Sequence, residues 1–200
     1  MIRVPLVTNG SITSRFARFM IQAASGGEDV DFISSNLGVA ANRNRACKEL
    51  LDSTDEYLWM IDSDVIPPHP LSGDERCLSG VYHHYLGGVS SITYSAWISN
   101  GNGKYCGLLE LPKNKFVVHG VGGGCLRVHR SLLEDIGPPW FEDHVSKDFV
   151  LEQGEDFDFC EKVIGIGEKI WVDPDCLCHH LHTISIKTFL ESEKPIMEAA

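Results

Sequence analysis

What the sequence lacks sets the first limits. No apolar run approaches the ~20 residues that cross a bilayer, and the N-terminus carries no signal-peptide pattern; a cytoplasmic chain with no transmembrane segment is expected. Positive charge is scarce: 17 Lys and Arg stand against 28 Asp and Glu, a formal net charge of −11. That balance argues against a nucleic-acid backbone or an anionic membrane as the main partner. It leaves room for a phosphorylated ligand, because a metal and a few local donors reverse the sign inside one pocket. Paired cysteines are also missing. The seven cysteines are an odd number, scattered from Cys47 to Cys178, and read as reduced thiols. A basic glycine-rich loop after the first strand is absent, since Val7-Thr8-Asn9-Gly10-Ser11 offers no Lys or Arg before Arg15. The later glycine run, residues 120–124, has neither phosphate-loop nor dinucleotide spacing.

What is present reads as one α/β chain. With 43% hydrophobic and 22% charged residues, wholesale disorder is excluded. Ile2 to Val7 is a β-favouring run; Ser11 or Thr13 can cap a helix in which Phe16, Phe19, Met20 and Ala23 share a face. Val30 to Ser34 reads as a second strand, Val39 to Ser53 as a second helix, and Tyr57 to Ile61 as a fully buried third strand. This alternation predicts a parallel sheet with helical cover. Strands are then expected over Cys77–Tyr85 and Ser90–Ile98, with a hairpin pairing Leu108–Leu111 and Lys115–His119 around Pro112-Lys113-Asn114. Ser131 opens a short helix that Gly137-Pro138-Pro139 stops, and Lys169 to Val172 is a further strand ending at Asp173-Pro174.

Two acidic clusters carry the candidate chemistry. The third strand runs into Asp62-Ser63-Asp64, and residues i and i+2 of an extended chain point to one side. Two such carboxylates repel unless a cation or a set of donors lies between them. They read as ligands of a hard divalent cation at the carboxyl end of a strand, or else as caps for local amides. In Gly154-Glu155-Asp156-Phe157-Asp158-Phe159-Cys160-Glu161 the Asp158–Glu161 spacing fits a capping box, which puts Glu155 and Asp156 just ahead of a helix. Trp140-Phe141 suits core packing, or a flat face for a sugar ring. Finally, Cys176-Leu177-Cys178-His179-His180-Leu181-His182 is dense enough for a zinc-stabilised, non-catalytic module. Alternatively one imidazole, His180 by preference, reaches an ion held by Asp64.

In this order the features resemble the GT-A glycosyltransferases, especially small bacterial and phage-type members similar to glycosyltransferase family 2. The resemblance rests on Ala41-Asn42-Arg43-Asn44, on Leu58 to Asp64, on Gly122 to Arg130 with Pro139-Trp140-Phe141, and on Gly154 to Cys160 followed by Val172-Asp173-Pro174 and His180. It implies a single GT-A-like domain: a Rossmann-like nucleotide-binding half (1–66) with a mixed central sheet, an acceptor-binding half (67–182) and a C-terminal tail (183–200). The implied activity is transfer of a sugar from a UDP- or GDP-sugar to a glycan or other hydroxyl acceptor, assisted by Mn2+ or Mg2+. By position, Asp62, Asp64 and His180 are the implied metal ligands. Pro5, Thr8, Arg43 and Asp62 are implied nucleotide contacts, and Trp140 and Gly123 acceptor contacts. Asp156 is the implied base of an inverting reaction, with Glu155 in support. The segments 99–104 and 142–153 are candidate lids. A nucleotidyltransferase making nucleotide-sugars is the alternative on a similar fold, one that would use the missing basic loop.

Overall fold

The computed structural model describes residues 1–7, 12–85, 92–101 and 104–181. The first half alternates as expected: β1 (Ile2–Val7), α1 (Ser14–Ser25), β2 (Val30–Ser35), α2 (Val39–Asp52) and β3 (Tyr57–Ile61). Helix α1 starts where the Thr13 hydroxyl accepts the Phe16 amide at 3.1 Å, and it buries Phe16 and Met20. Helix α2 has no side-chain cap; Gly38, at φ 92°, turns the chain into it, and its stripe of Arg43, Ala46, Cys47 and Leu50 is buried. In β3, Leu58 to Ile61 are buried on both faces, the signature of a central strand.

The chain continues through β4 (Val65–Ile66), β5 (Cys77–Val81), β6 (His83–Tyr85), β7 (Ile92–Tyr94), β8 (Ala96–Ser99), β9 (Tyr105–Gly107), β10 (Phe116–Val118), β11 (Gly120–Val121), β12 (Cys125–His129) and α3 (Arg130–Ile136). It then forms β13 (His144–Val145), β14 (Leu151–Gln153), α4 (Glu155–Gly165), β15 (Ile170–Leu177) and β16 (His179–His180). Seven strands make one mixed sheet in the order β10-β15-β5-β12-β3-β1-β2. Neighbours β1, β2 and β3 are parallel, as are β5 and β15, while β12 runs antiparallel to both β3 and β5. One face packs on α2, α3 and α4 through Leu50, Leu132, Leu133, Phe159 and Val163. The other buries Phe16, Met20, Trp59, Val65, Tyr82 and three cysteines. Among the described residues no helix is long and apolar enough to cross a membrane.

Three expectations need correction. The run 77–85 is two strands, because at Tyr82 the backbone amide leaves the sheet for the Ser95 hydroxyl (3.1 Å). Leu108–Leu111 forms no strand; Leu108 bonds the backbones of Tyr94 and Ala96, and Phe116–Val118 is taken up by the open edge of β15. Strand β15 does not stop at Asp173-Pro174. Its pairing with β5 shifts register between Val172 and Leu177, which absorbs a proline that cannot donate.

Candidate active site

Because β12 runs against β3 and β5, the start of β12 and the ends of β3, β5 and β15 reach the same edge of the sheet. The predicted residues gather there. Asp62 and Asp64 follow β3 in a turn rather than an extended chain, closed by the Val65 amide on the Asp62 carbonyl (3.0 Å). The turn sends the two carboxylates to different partners, a correction to the expected same-side alternation.

Asp62 faces Arg43. One guanidinium nitrogen, Nη2, donates to both Asp62 oxygens at 3.0 and 3.1 Å, and Nη1 donates to Glu155 at the start of α4. Asp156 also acts on this cation electrostatically. The Arg43 side chain is only 3% exposed. Burial works against its charge, but Asp62, Glu155 and Asp156 together hold its pKa above the ordinary arginine value. Burial raises the pKa of Asp156 and of Glu155; Arg43 opposes both shifts, and the Phe157 amide, 2.9 Å from Asp156, opposes that of Asp156 alone. Arg43, expected to touch the nucleotide, is the strut that holds three acids around one point, Asp62 from the turn after β3 and Glu155 and Asp156 from the first turn of α4.

The glycine run explains how the strut fits. A Cβ on Gly123 would lie 2.3 Å from Arg43 Cζ, and Cβ atoms on Gly122 and Gly124 would fall 2.2 and 2.9 Å from the Tyr82 hydroxyl. Gly123, assigned to the acceptor by resemblance, thus has a packing reason to lack a side chain. Tyr82, a residue the sequence reading missed, is buried and accepts the Gly124 amide at 3.3 Å.

Asp64 faces His180. Strand β16 pairs antiparallel with β4, placing His180 opposite Val65, and the Leu181 amide bonds the Asp64 carbonyl at 2.8 Å. His180 Nε2 lies 3.5 Å from Asp64 Oδ2, and its Nδ1 lies 3.0 Å from the His83 carbonyl. The Tyr82 ring meets the imidazole edge-on at 4.7 Å between centroids. Burial lowers the pKa of His180, yet Asp64, the His83 carbonyl and Asp62 raise it to a net upward shift. His179 points outward, which singles out His180 within that pair; His182 lies outside the described residues.

A hard cation fits this corner in its chemistry. Asp64 presents a carboxylate oxygen and His180 an imidazole nitrogen to one another across 3.5 Å, and oxygen with imidazole nitrogen is a donor set that suits Mn2+ or Mg2+. Asp62 fits less directly, since both its oxygens already accept from Arg43.

Other assignments move. Trp140 is 5% exposed and its indole donates to the Leu133 carbonyl at 2.8 Å, so it belongs to the core rather than to an acceptor surface. Asn44 fixes that segment, donating to the Phe141 carbonyl and accepting the Trp140 and Phe141 amides. Pro5 is buried in β1 opposite Ile33; Thr8 lies outside the described residues. The Asp158–Glu161 capping box does not form: Gly154 caps α4, Glu155 and Asp156 occupy its first turn, and Asp158 instead binds the Glu142 amide, His144 and Lys162. Of the candidate lids, 142–153 carries the β13–β14 hairpin with Phe149 91% exposed, and residues 102–103 of the other lie outside the described residues.

No protein-family profile matches the chain, and no curated protein matches it by sequence. Several solved structures share its fold. A197 from STIV superposes with a TM-score of 0.62 at 19% identity, covering 91% of this chain and 85% of that one. GalNAc-T7, solved with UDP, GalNAc and Mn2+, superposes with a TM-score of 0.57 at 13% identity over 92% of this chain. The chain spans 37% of the length of GalNAc-T7. The mixed seven-stranded sheet with helices on both faces is a GT-A-like fold, the fold of a glycosyltransferase.

Proposed function

We propose that the protein is a metal-dependent glycosyltransferase that moves a sugar from a nucleotide-diphosphate donor to a hydroxyl acceptor. The observation that carries this reading is the meeting of Asp64 with His180, and of Asp62, Glu155 and Asp156 around Arg43, at one sheet edge. The fold shared with a protein solved with UDP, GalNAc and Mn2+ supports it. Asp64 and His180 would hold Mn2+ or Mg2+; when bound, such an ion offsets the charge that develops on a departing diphosphate. Asp62, held by Arg43, orders the turn that presents Asp64.

Asp156 is the base. It sits at the positive end of α4, hydrogen-bonded and half-buried, with burial moving its pKa up from the ordinary aspartate value. Glu155 anchors Arg43 and stays beside it. With Trp140 in the core, the acceptor surface falls to the half-buried aromatic group of Trp97, Tyr105 and Phe157, whose rings lie 5.1 and 4.8 Å from the last of these.

Substitution tests the reading. Hydrolysis or transfer of a UDP- or GDP-sugar should require Mn2+ or Mg2+ and should vanish in Asp64→Ala. Asp156→Asn should lower kcat by ~10²–10⁴-fold with little change in donor binding. Full activity in Asp64→Ala, or none with any nucleotide-sugar in the wild type, overturns it.

A further inference from the structure

Cys125 stands 51 positions upstream of Cys176 in the sequence, yet the fold brings it to the Cys176–Cys178 pair. Cys125 opens β12, Cys176 lies in β15, and Cys178 follows β15. The three Sγ atoms lie within 4.8 Å of one another, with Cys176 and Cys178 4.0 Å apart. All three side chains are buried; Cys125 and Cys176 are 0% exposed and Cys178 4%. Among the described residues this is the group of three metal-ligating atoms that converges so closely.

Buried cysteines are common as small hydrophobes, so convergence needs support from the surroundings. Two observations supply it. Gly80 leaves the sulfurs their space: a Cβ there would stand 2.8 Å from Cys125 Sγ and 3.0 Å from Cys176 Sγ. The Trp59 indole N–H, on a residue only 6% exposed, makes no well-formed hydrogen bond, and the Cys125 sulfur is the acceptor beside it. A donor without a partner costs stability when buried, whereas a thiolate at Cys125 would accept from it.

We propose that Cys125, Cys176 and Cys178 form a structural three-thiolate site for a soft d10 cation, zinc, separate from the Asp64–His180 pair. A tetrahedral Zn–S bond of about 2.3 Å puts sulfurs about 3.8 Å apart, close to the 4.0 Å seen between two of these atoms. Thiolate sulfur selects zinc over the harder Mn2+ or Mg2+. Binding releases three thiol protons to solvent and transfers no electrons, leaving a site of net charge −1 beside the Trp59 donor. The site joins β12 to the end of β15, two residues before His180, and so pins the strand that carries the imidazole. The proposal does not depend on the sugar-transfer reading, since the cation here is structural and its ligands are sulfur.

Cobalt makes the test direct. The reduced, chelator-stripped full chain is titrated with Co2+, which is then displaced with Zn2+. The expected result is a sulfur-to-cobalt charge-transfer band in the near ultraviolet that saturates at one equivalent and is bleached by zinc; cobalt taken up by the Asp64–His180 pair adds no such band. Asp64→Ala and Cys106→Ser should keep the band, while Cys125→Ser, Cys176→Ser and Cys178→Ser should each lose it and weaken zinc by about a hundredfold or more in chelator competition. The wild-type titration decides even where a Ser variant fails to fold. A wild-type chain that takes cobalt without the sulfur band, that takes none, or whose Cys125→Ser variant binds zinc as tightly as before overturns the proposal.

Discussion

Arg43 shows how much of the site depends on a single side chain. A guanidinium taken out of water costs several kcal/mol, and the charge is held here only because carboxylates surround it. Removing it strands Asp62 and Glu155, whose side chains remain 31% and 17% exposed and so keep some solvent. Arg43→Met is therefore expected to cost about 3 kcal/mol, the lower end of the range for breaking a buried pair, read as a fall in the urea midpoint with an unchanged slope. Gly123→Ala presses a methyl into the same guanidinium and should cost about 1–3 kcal/mol; an alanine variant as stable as the parent would mean that Arg43 is not where the structure places it. Asp156 adds a pH signature. Its folded pKa is raised and its base form is the deprotonated one, so kcat/KM should fall as pH drops through a value above the ordinary aspartate value of about 3.9. Asp156→Asn should remove that acid limb from whatever activity remains.

At the scale of elements, Asp158 ties the first turns of α4 to the β13 region by accepting the Glu142 amide and bonding His144, and it pairs with Lys162 one turn along its own helix. Burial raises its pKa, but His144 and Lys162 outweigh burial and the net shift is downward. A depressed carboxylate contributes stability above its unfolded pKa and loses it as pH falls through the folded value. Asp158→Asn should thus cost about 2 kcal/mol at neutral pH, with the gap to wild type closing below about pH 4; a gap that persists in acid would assign Asp158 a role other than charge. This element also shows where sequence reading reached and where it stopped. The alternation through β3, the acids after it and His180 were legible because each is a local pattern: a short apolar run, a carboxylate pair, a histidine beside a turn. Asp158 looked like a cap because spacing reports neighbours along one helix, whereas its partners include a histidine 14 residues away. Trp140 met the core-packing reading and not the acceptor role that the resemblance implied, its place being set by Asn44 of α2. Cys125 and Tyr82 gave no local signal; a glycine flanking a cysteine, as in Gly124-Cys125, was the nearest hint of crowding.

For the molecule as a whole, ligand binding and folding are linked. A nucleotide diphosphate with Mn2+ at 100 times its Kd should stabilise the chain by about 2.7 kcal/mol, seen as a rise in Tm that either component alone does not reproduce and that His180→Ala abolishes. A rise of equal size without the metal would detach the nucleotide from the Asp64–His180 corner. The antiparallel placement of β12 has one more consequence. Every described feature of the cleft sits at one rim of the sheet, so the turns at the opposite rim, Gly26-Gly27 after α1 and Gly165 to Gly167 after α4, are exposed and remote from it. Those two turns are the natural attachment points for a fluorophore, a surface tether or an inserted reporter: cargo fixed there leaves the mouth of the cleft clear.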